Sequence, residues 1–473
     1  MTRVDQLLNW DSAENALIAI LERHSQRDNL RTLVAGEAII LVRNWYGKLT
    51  LLLPCTKDEL TRSSSSELLE DLHKTVGELA LSPWSLCRDE LFDGTSYWND
   101  PALIQLFQED VQEQPLTLLL LERQDKERDW LIPPSAPVIS AKHSKRCVFF
   151  SVKGGGGRSS ALTMLAISLA TLGKRVLVVD GDFESPGLSS SLLPVDDGQP
   201  EYGVVDWLTA EALGADASAL KRMSLETTVA SSPLNTRLEL QGQVLVAPAY
   251  GCKTEAYVSK LARIYRHSPE GKPYAQRLNE FLSMTESAHK IDITLFDCRA
   301  GIDDTAAAAV TQLQADVSFL FAINTSQTWD SYRLLFKHLK RNPALFTNEP
   351  LEGRQGQEEP WELRRSLRLV SALTPQEYGP YVGYFEALKQ NAYETFSEIY
   401  DADSGEENQV FSPSPEDLNA PHAALRIQWV EALRAFSPLT EPNQVTDPLN
   451  QAAFSDFLNR ALTLLGVDDE QRR

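Results

Sequence analysis

The residues best suited to chemistry form a glycine run that lies between charged and hydroxyl side chains. In order, they are Lys153, Gly154, Gly155, Gly156, Gly157, Arg158, Ser159 and Ser160. Phosphates need a concave ring of backbone N–H donors, and glycine lets the backbone approach because it has no side chain. Arg158 adds positive charge, and the Ser159 hydroxyl can bind magnesium. The run therefore predicts a loop that binds the phosphates of a nucleotide.

Two acidic motifs follow this loop along the chain. Asp180 and Asp182 end one apolar stretch, and alternate residues of a strand point to the same side, where they can hold metal-bound water and orient an attacking water. Asp297 ends another apolar stretch, in the position of an acid beside a nucleotide-bound magnesium ion. Gly301 could then sense the γ-phosphate through its backbone. With the loop, these motifs predict a site for ATP and Mg²⁺.

Each of these motifs has a plainer interpretation when it is taken alone. A glycine run is typical of a flexible linker, and a single acid at a strand end is often structural. Here the glycines lie between an apolar stretch, 147–152, and a helical pattern that follows them, so a helix N-terminus would add its positive partial charge. This order, with two acidic motifs after it, favours the phosphate loop.

The elements that must position these residues alternate between apolar runs and helical patterns. The apolar runs cover residues 147–152, 176–179, 244–247, 293–296, 317–323 and 367–372. Such runs are typical of parallel strands that are buried on both faces of a sheet. We therefore expect an α/β fold, with a doubly wound, mostly parallel sheet of the P-loop NTPase type in residues 141–473.

The segment before this sheet has its own pattern. Apolar runs at 38–42, 49–53 and 116–121 alternate with helical stretches and predict a small N-terminal α/β domain. A charged run and a proline-rich stretch follow, and proline stiffens a chain and removes a hydrogen-bond donor. We place the boundary at residue 140, so that 1–140 is a recognition domain with its linker.

Two polar segments and one apolar stripe complete the reading of the chain. Residues 342–359 and 401–421 are polar and predict loose surface insertions. The stripe at Phe454, Phe457, Leu458, Ala461, Leu462 and Leu465 has helical spacing. Acids rather than lysines follow it, so we expect it to dock against the protein's own core instead of a membrane.

Composition disfavours several classes of partner and site, although it does not exclude nucleic acid. The chain has 473 residues, with 45 basic and 66 acidic side chains and a net charge of -21, which disfavours nucleic acid and anionic lipid as partners. A basic run at 142–146 is interpreted as a solvated linker end. Five scattered cysteines predict neither a zinc site nor a disulfide framework. Without a long apolar run or signal peptide, we expect a cytoplasmic protein with no integral membrane segment.

Residues 145–372 resemble the ParA and MinD family of partition and cell-division positioning ATPases. That family has a K-G-G-x-G-K-[ST]-[ST] loop, then D-x-D with a Pro-Gly turn, here Pro186 and Gly187, then D-x-x-x-G. The resemblance implies a homodimer that encloses two ATP molecules, in which Lys153 reaches the partner subunit's phosphates. It also implies that Asp182 positions the attacking water, that Ser159, Asp180 and Asp297 lie at magnesium, and that Pro186, Gly187 and Gly301 act as switch residues.

The chain departs from the family pattern at two loop positions. Arg158 stands where the family has lysine, and Gly156 replaces a usual valine. A guanidinium is planar and bulkier than an ammonium, so we expect nucleotide binding to tolerate the change better than fast hydrolysis does. By analogy, arginine-containing loops of this kind point to multi-component bacterial systems, including phage defence. A nitrogenase-type iron protein is disfavoured because Cys298 has no second cysteine at a matching site.

Three functions remain open from the sequence. The first is an ATP-dependent switch that dimerises and signals through the N-terminal domain to an unidentified protein partner. The second is a nucleotide-stabilised pseudo-ATPase scaffold, and the third is an ATP-dependent metabolic ligase. Phosphate release would separate the first two, whereas a small-molecule pocket away from the loop would favour the third.

Overall fold

The structure is a computed structural model, and its described residues form two compact units. It describes residues 10–93, 96–100, 102–111, 113–123, 128–134, 144–194, 198–265, 272–346, 361–376, 379–401 and 411–467. The two units are Met1–Pro133 and Pro134–Arg473. No helix among the described residues combines the length and the apolar character needed to cross a membrane.

The first unit is a five-stranded mixed sheet with helices. Its strands are β1 (Ile39–Arg43), β2 (Leu49–Leu53), β3 (Ala80–Cys87), β4 (Ile104–Gln108) and β5 (Thr117–Glu122), in the order β3-β2-β1-β5-β4. Its α-helices are α1 (Trp10–Arg23), α2 (Arg27–Val34), α3 (Lys57–Arg62) and α4 (Ser66–Val76), with 3-10 turns at Gly77–Leu79, Arg88–Glu90 and Arg128–Leu131. The helices bury leucines such as Leu17 and Leu72 against the sheet, which gives this unit its own core.

Three of these strands match the sequence prediction to within one residue, namely β1, β2 and β5. The edge strands β3 and β4 were not predicted. β3 includes Pro83, and much of it is exposed, so it lacks the apolar run that marks a buried strand. Proline is tolerated in such a strand because an edge leaves some N–H groups unpaired.

The second unit contains an eight-stranded sheet. Its strands are β6 (Lys145–Ser151), β7 (Arg175–Gly181), β8 (Ala230–Ser231), β9 (Gln243–Ala247), β10 (Ile293–Ala300), β11 (Val317–Ala322), β12 (Leu367–Thr374) and β13 (Leu425–Gln428). The order is β13-β12-β11-β6-β10-β7-β9-β8, and only the β8–β9 pair is antiparallel. This confirms the α/β fold with a mostly parallel sheet.

Helices connect these strands. The α-helices are α5 (Arg158–Thr171), α6 (Val204–Ala212), α7 (Ala217–Glu226), α8 (Leu234–Arg237), α9 (Tyr257–Ile264), α10 (Tyr274–His289), α11 (Asp304–Ala307), α12 (Ser326–Leu339), α13 (Leu363–Ser366), α14 (Val382–Phe396), α15 (Asn443–Thr446) and α16 (Pro448–Leu464). A π-helical turn, Ala308–Gln312, continues α11, and 3-10 turns lie at Leu188–Ser191, Pro343–Leu345, Gly379–Tyr381, Ser397–Ile399 and Glu431–Ala435.

Both faces of the eight-stranded sheet are covered. On β6, Phe149 packs against Phe457 of α16, while its neighbour Phe150 points to the opposite face and packs against Tyr332 of α12. All residues of β11 are buried, and so are all but the first residue of β6 and of β7. The strands therefore need apolar side chains on both faces, which explains their continuous apolar runs.

The C-terminal helix docks as predicted. Phe454, Phe457, Leu458, Ala461 and Leu462 of α16 are buried in the same core cluster as the residues of α5. This cluster holds the helix against one face of the sheet.

Where the structure describes the two predicted surface insertions, most of their residues are exposed or partly exposed, but a few are buried. In the first, Asn342 and Leu345 are buried, and residues 347–360 lie outside the described residues. In the second, Ala420 is buried and the Pro421 carbonyl accepts a hydrogen bond from Leu369 N, while residues 402–410 lie outside the description. These segments carry a few apolar anchors that a polar average conceals.

The basic run at 142–146 is solvated only in part where it is described, since Lys145 is exposed and Arg146 is not. Arg146 is buried and makes an ion pair with Glu286, with its Nη2 at 2.8 Å from Oε2. Lys145 Nζ donates to the carbonyl oxygen of Leu465 at 2.7 Å. Residues 142 and 143 lie outside the described residues.

Candidate functional site

The predicted loop and acids meet at one end of the sheet. Strands β6, β10 and β7 are neighbours and run parallel, so the segments after their carboxyl ends lie side by side. Ligands of open parallel sheets bind at this end of the strands. The three motifs therefore converge although up to 148 residues separate them, from Lys153 to Gly301.

The glycine loop links β6 directly to α5. Gly155 has φ +85° and Gly157 has φ +71°, which is the left-handed region that favours glycine. Within the described part of the chain, the backbone N–H groups of residues 154–157 donate no hydrogen bond to another backbone group. α5 starts at Arg158, so the first-turn N–H groups of Ser159 and Ser160 add to the same concave set.

Arg158 turns its guanidinium towards the acids. Its Nε donates to Asp297 Oδ1, its Nη1 donates to Ser151 Oγ at 3.0 Å, and its Nη2 lies 3.6 Å from Asp182 Oδ2. Burial by itself would lower the pKa of Arg158, but the attraction of Asp297, the hydrogen bond to it and the attraction of Asp182 and other neighbours together raise the pKa. The arginine is therefore neutralised from inside the protein.

Ser159 and Asp297 also contact each other. The Ser159 hydroxyl donates to Asp297 Oδ2 at 2.8 Å. Asp297 is almost fully buried, and burial raises its pKa even though Arg158 and Ser159 oppose the shift. A buried carboxylate beside a hydroxyl, at the start of a helix, is a donor set suited to a hard divalent cation.

Asp180 lies on the strand next to Asp297, at the paired register position of β7. It is fully buried, its Oδ2 accepts from the backbone N–H of Ser189 at 3.2 Å, and its Oδ1 has no hydrogen-bond partner among the described residues. Burial and repulsion from Asp297 raise its pKa to about 7. An orphaned buried carboxylate oxygen is costly, which points to a missing cation or donor.

Asp182 lies beyond the end of β7, in the loop that also contains Pro186 and Gly187. Its Oδ1 accepts from Ser185 N at 3.2 Å. Burial raises its pKa to about 6, against the attraction of Arg158. The Gly187 carbonyl accepts from Ser190 N at 3.2 Å and precedes the 3-10 turn Leu188–Ser191, so the Pro-Gly pair redirects the chain.

Lys153 and Gly301 lie on opposite sides of β6, the strand that leads into the glycine loop. The Lys153 side chain is exposed, and its Nζ donates to Gln327 Oε1 of α12 at 2.7 Å. Gly301, with φ +111°, donates its N–H to the Ser151 carbonyl at 2.9 Å. Lys153 is thus directed away from the acids, whereas Gly301 is tied to the strand that carries the loop.

The sequence reading missed the side chains that hold the Asp182 loop. Tyr257 of α9 donates its hydroxyl proton to the Phe183 carbonyl at 2.7 Å, and Tyr265 donates to Glu184 Oε1 at 2.8 Å. Arg299 of β10 lies 3.4 Å from the same Glu184 oxygen. The only local signal was a charged Arg299 within the Asp297 motif, since the tyrosines belong to no motif.

These residues fit a nucleotide with magnesium. The glycine loop offers unengaged N–H groups, Asp180 offers an orphaned oxygen, and Ser159 lies beside Asp297. Across the described residues, no group of three or more His, Cys, Asp or Glu side chains could hold a metal ion alone. A magnesium ion here would therefore share its coordination between Ser159, the acids and phosphate oxygens.

Comparison with known proteins gives structural likeness only. No family model matches the sequence, and no curated protein matches it either. A ParA family ATPase from Chlorobium tepidum is 16% identical, with 68% of this chain and 99% of that chain covered and a TM-score of 0.40. MinD in its complex with MinC from Aquifex aeolicus is 16% identical, with 68% and 96% covered and a TM-score of 0.39. Scores this low carry no argument about function, and the fold class rests on the strand order itself.

Proposed function

We propose that the chain is an ATP-binding molecular switch of the ParA/MinD type that hydrolyses ATP slowly, dimerises around two nucleotides and signals to a protein partner. The observation that carries this proposal is the convergence of Arg158, Ser159, Asp182 and Asp297 beside a glycine loop whose N–H groups donate to no other backbone group among the described residues. A phosphate chain in that loop would meet backbone donors on one side and the acids on the other.

Each group has a definite task in this proposal. The loop N–H groups and the start of α5 bind the phosphates, and Ser159 with Asp297 and Asp180 hold magnesium. Bound magnesium would neutralise charge on the phosphate oxygens. Asp182 orients the attacking water and accepts its proton. Its carboxylate faces the same end of the sheet as the glycine loop, and its pKa of about 6 leaves it largely ionised at neutral pH.

Arg158 must exchange partners for this to occur. In the absence of phosphate, its guanidinium is held by Asp297, Ser151 and Asp182. An incoming phosphate would compete with these carboxylates for the same cation, and magnesium would take up the charge of the acids that are released. This exchange accounts for slow turnover without preventing nucleotide binding.

Lys153 supports the dimer part of the proposal. Its side chain is exposed, and among the described residues the hydrogen bond that holds it, to Gln327, lies at the surface. Such a bond contributes only about 1 kcal/mol. Lys153 can therefore leave Gln327 and neutralise a phosphate of a second copy at modest cost.

Two substitutions test the dimer by moving it in opposite directions. Asp182→Ala should bind ATP but slow its cleavage, so that an ATP-bound dimer accumulates. Lys153→Ala should bind ATP and remain monomeric, because two facing polyphosphates would then repel each other. Solution mass measurements with ATP, with Lys221→Ala as an exposed-lysine control on α7, decide between these outcomes. A Lys153→Ala chain that dimerises like the control refutes the sandwich dimer.

The contact of Arg158 with Asp297 also favours a second candidate, a pseudo-ATPase scaffold. If Arg158 never releases Asp297, the site would bind nucleotide without turning it over. Phosphate release, measured with and without candidate partner proteins, separates the two functions. Release that a partner stimulates supports the switch, whereas binding with no release supports the scaffold.

We further propose that residues 1–140 are the recognition domain and that 141–473 bind ATP alone. Trp45 and Tyr46 are largely exposed at the turn between β1 and β2, and exposed aromatic side chains often anchor protein partners. A chain truncated to 141–473 should show an ATP-dependent rise in melting temperature. A soluble truncation without that rise contradicts this division.

For the biological setting, we propose a cytoplasmic, multi-component bacterial system of the phage-defence kind. The arginine at 158 in a K-G-G-x-G-R loop is what supports it. The genes that neighbour this one test the proposal directly: a conserved set of partner genes supports it, and an isolated gene contradicts it.

A further inference from the structure

A cavity of about 350 Å³ opens at the free edge of the eight-stranded sheet. It lies along β13, the terminal strand, between helices α14 and α16. Phe385 and Leu388 of α14 form an apolar wall, and Arg426 of β13 and Arg460 of α16 supply charge. Its volume falls in the range of small-molecule sites.

The wall of this cavity is fixed before any ligand arrives. Arg460 donates hydrogen bonds to the carbonyl oxygens of Ala424 at 2.7 Å, Leu418 at 2.9 Å and Ala423 at 3.0 Å. His422, also in the wall, is hydrogen-bonded to the buried hydroxyl of Tyr400 at 2.7 Å. These hydrogen bonds fix the segment before β13 against α16 and keep the cavity open. A ligand would therefore not have to order this segment.

Two of the cavity's three cations, Arg460 and Lys389, have no carboxylate in contact among the described residues, whereas Arg426 is paired with Asp456. Among the described residues, Arg460 and the neighbouring Arg368 have no carboxylate within 4.0 Å, and each donates only to carbonyls. Lys389 on the rim is exposed and likewise has no described partner. Burial lowers the pKa of Arg460, against the attraction of Asp456, and repulsion from Arg426 adds to the lowering.

The acids of the lining are already occupied. Asp456 accepts the backbone N–H of Arg426 at 2.6 Å and lies 3.7 Å from its guanidinium, and Asp417 accepts the N–H of Asn419 at 2.8 Å. The remaining acid, Glu416, is exposed at the rim. The lining as a whole carries three basic and three acidic side chains, but Arg460 donates only to carbonyls among the described residues and lies beside the apolar wall.

We propose that this cavity binds a small amphipathic anion, a carboxylate or phosphate ester that carries a short apolar chain. The apolar chain would lie on Phe385, Leu388 and Ala392, and the anionic head would face Lys389, Arg426 and Arg460. This proposal does not depend on the proposed function, because it uses none of the residues of the glycine-loop site.

The ligand would be an effector and not a substrate for phosphoryl transfer. β13 lies three strands from β6, which is about 14 Å at the usual strand spacing, whereas reacting atoms must approach to about 3 Å. A metabolic ligase therefore gains no support from this cavity. α14 instead links the cavity to the loop after β11, where Asn324 Nδ2 donates to the Tyr384 carbonyl at 3.3 Å.

Calorimetric titration of the full chain tests the proposal with four probes that share one apolar chain. Octanoate and octyl phosphate should each bind at one site. The one that binds more tightly shows whether the cavity prefers a carboxylate or a phosphate ester. Octylammonium and octanol should bind at least about tenfold more weakly, which corresponds to one favourable charge contact. Equal binding of octylammonium, or no binding of either anion, overturns the proposal.

Variants locate the site on the chain. Lys389→Glu should weaken the affinity for the more tightly bound anion about tenfold, because it reverses the charge at the rim. Asp456→Asn should tighten it, since the amide oxygen can still accept the Arg426 N–H while a competing charge is lost. Lys221→Glu, the same exchange on α7, should leave affinity unchanged. If Lys389→Glu behaves like Lys221→Glu, the anion binds elsewhere and the proposal fails.

Discussion

Two partly buried arginines of the eight-stranded unit have opposite electrostatic surroundings. Arg158, at the glycine loop, contacts the carboxylates of Asp297 and Asp182, and the attraction of Asp297 raises its pKa. Among the described residues, Arg460, at the β13 cavity, donates hydrogen bonds only to carbonyl oxygens, and burial lowers its pKa against the attraction of Asp456. The glycine-loop region neutralises its arginine with carboxylates of the protein, whereas the β13 cavity offers its arginine the dipoles of carbonyl groups.

The difference shows what each region demands of an anion. At the glycine loop, an anion must displace carboxylates from Arg158, so binding is coupled to a local rearrangement and to magnesium. At the β13 cavity, no described carboxylate contacts Arg460 directly, so an anion can bind without displacing a carboxylate from that side chain, although Asp456 lies nearby. The first arrangement suits a switch and the second suits a simple effector site.

The largest effect should come from deleting the arginine that has acidic partners. Arg158→Ala leaves Asp297 buried without its counterion and should lower the free energy of unfolding by roughly 3 kcal/mol in the absence of nucleotide. Urea unfolding measures this loss, and Arg158→Lys, which keeps the charge, should recover part of it. A loss no greater than that of Arg460→Ala would remove the contrast between the regions.

The orphaned carboxylate should produce the next largest effect, as a pH dependence. The pKa of Asp180 is about 7 in the folded protein and near 3.8 when unfolded, so the folded state binds the extra proton between these values. Its stabilising contribution is complete below pH 4 and is lost as pH rises through about 7. Asp180→Asn should therefore be more stable than the unaltered chain at pH 8 by roughly 2 kcal/mol, and the gain should shrink towards pH 5.

Nucleotide-free unfolding at several pH values checks the effect of Asp180→Asn. Asp292→Asn, at the opposite end of the strands, is a matched control and should not reproduce the change with pH. A difference that stays constant from pH 5 to pH 8 would show that Asp180 does not take up a proton in this range.

Deleting the arginine without acidic partners should cost less. Arg460→Ala loses three hydrogen bonds to carbonyls but also relieves repulsion with Arg426 and Arg368, so we expect a loss of about 1 kcal/mol. Urea unfolding under the same conditions as for Arg158→Ala makes the two values comparable. A loss of the size expected for Arg158→Ala would mean that the carbonyl contacts matter as much as the carboxylates.

The smallest effect should be on turnover. Arg158→Lys should hydrolyse ATP at least as fast as the unaltered chain, because an ammonium binds two carboxylates less rigidly than a planar guanidinium does. Phosphate release at saturating ATP and magnesium measures the rate, with Asp182→Ala as the inactive reference. A slower Arg158→Lys chain would show that the guanidinium itself assists cleavage.

Most of the glycine-loop site could be predicted because the sequence patterns that mark it extend over only a few neighbouring residues. Continuous apolar runs of β6, β7 and β10 lead directly to the motifs: Lys153 follows β6, while Asp180 and Asp297 lie within β7 and β10 at the end of their apolar runs. The β13 edge could not be predicted in the same way. β13 has four residues, alternates between buried and partly exposed positions, and follows a polar segment, so its run is too short to stand out.

The sequence by itself determined the element types around the glycines, since glycine, apolar periodicity and strand-end acids act within a few residues. It also carried the net charge and the order of the three motifs. Only the tertiary structure decided which side chains pair, such as Arg158 with Asp297 or Tyr257 with Phe183, because these contacts join residues that are 139 and 74 positions apart. Strand order and packing bring such residues together, and no local pattern encodes that choice.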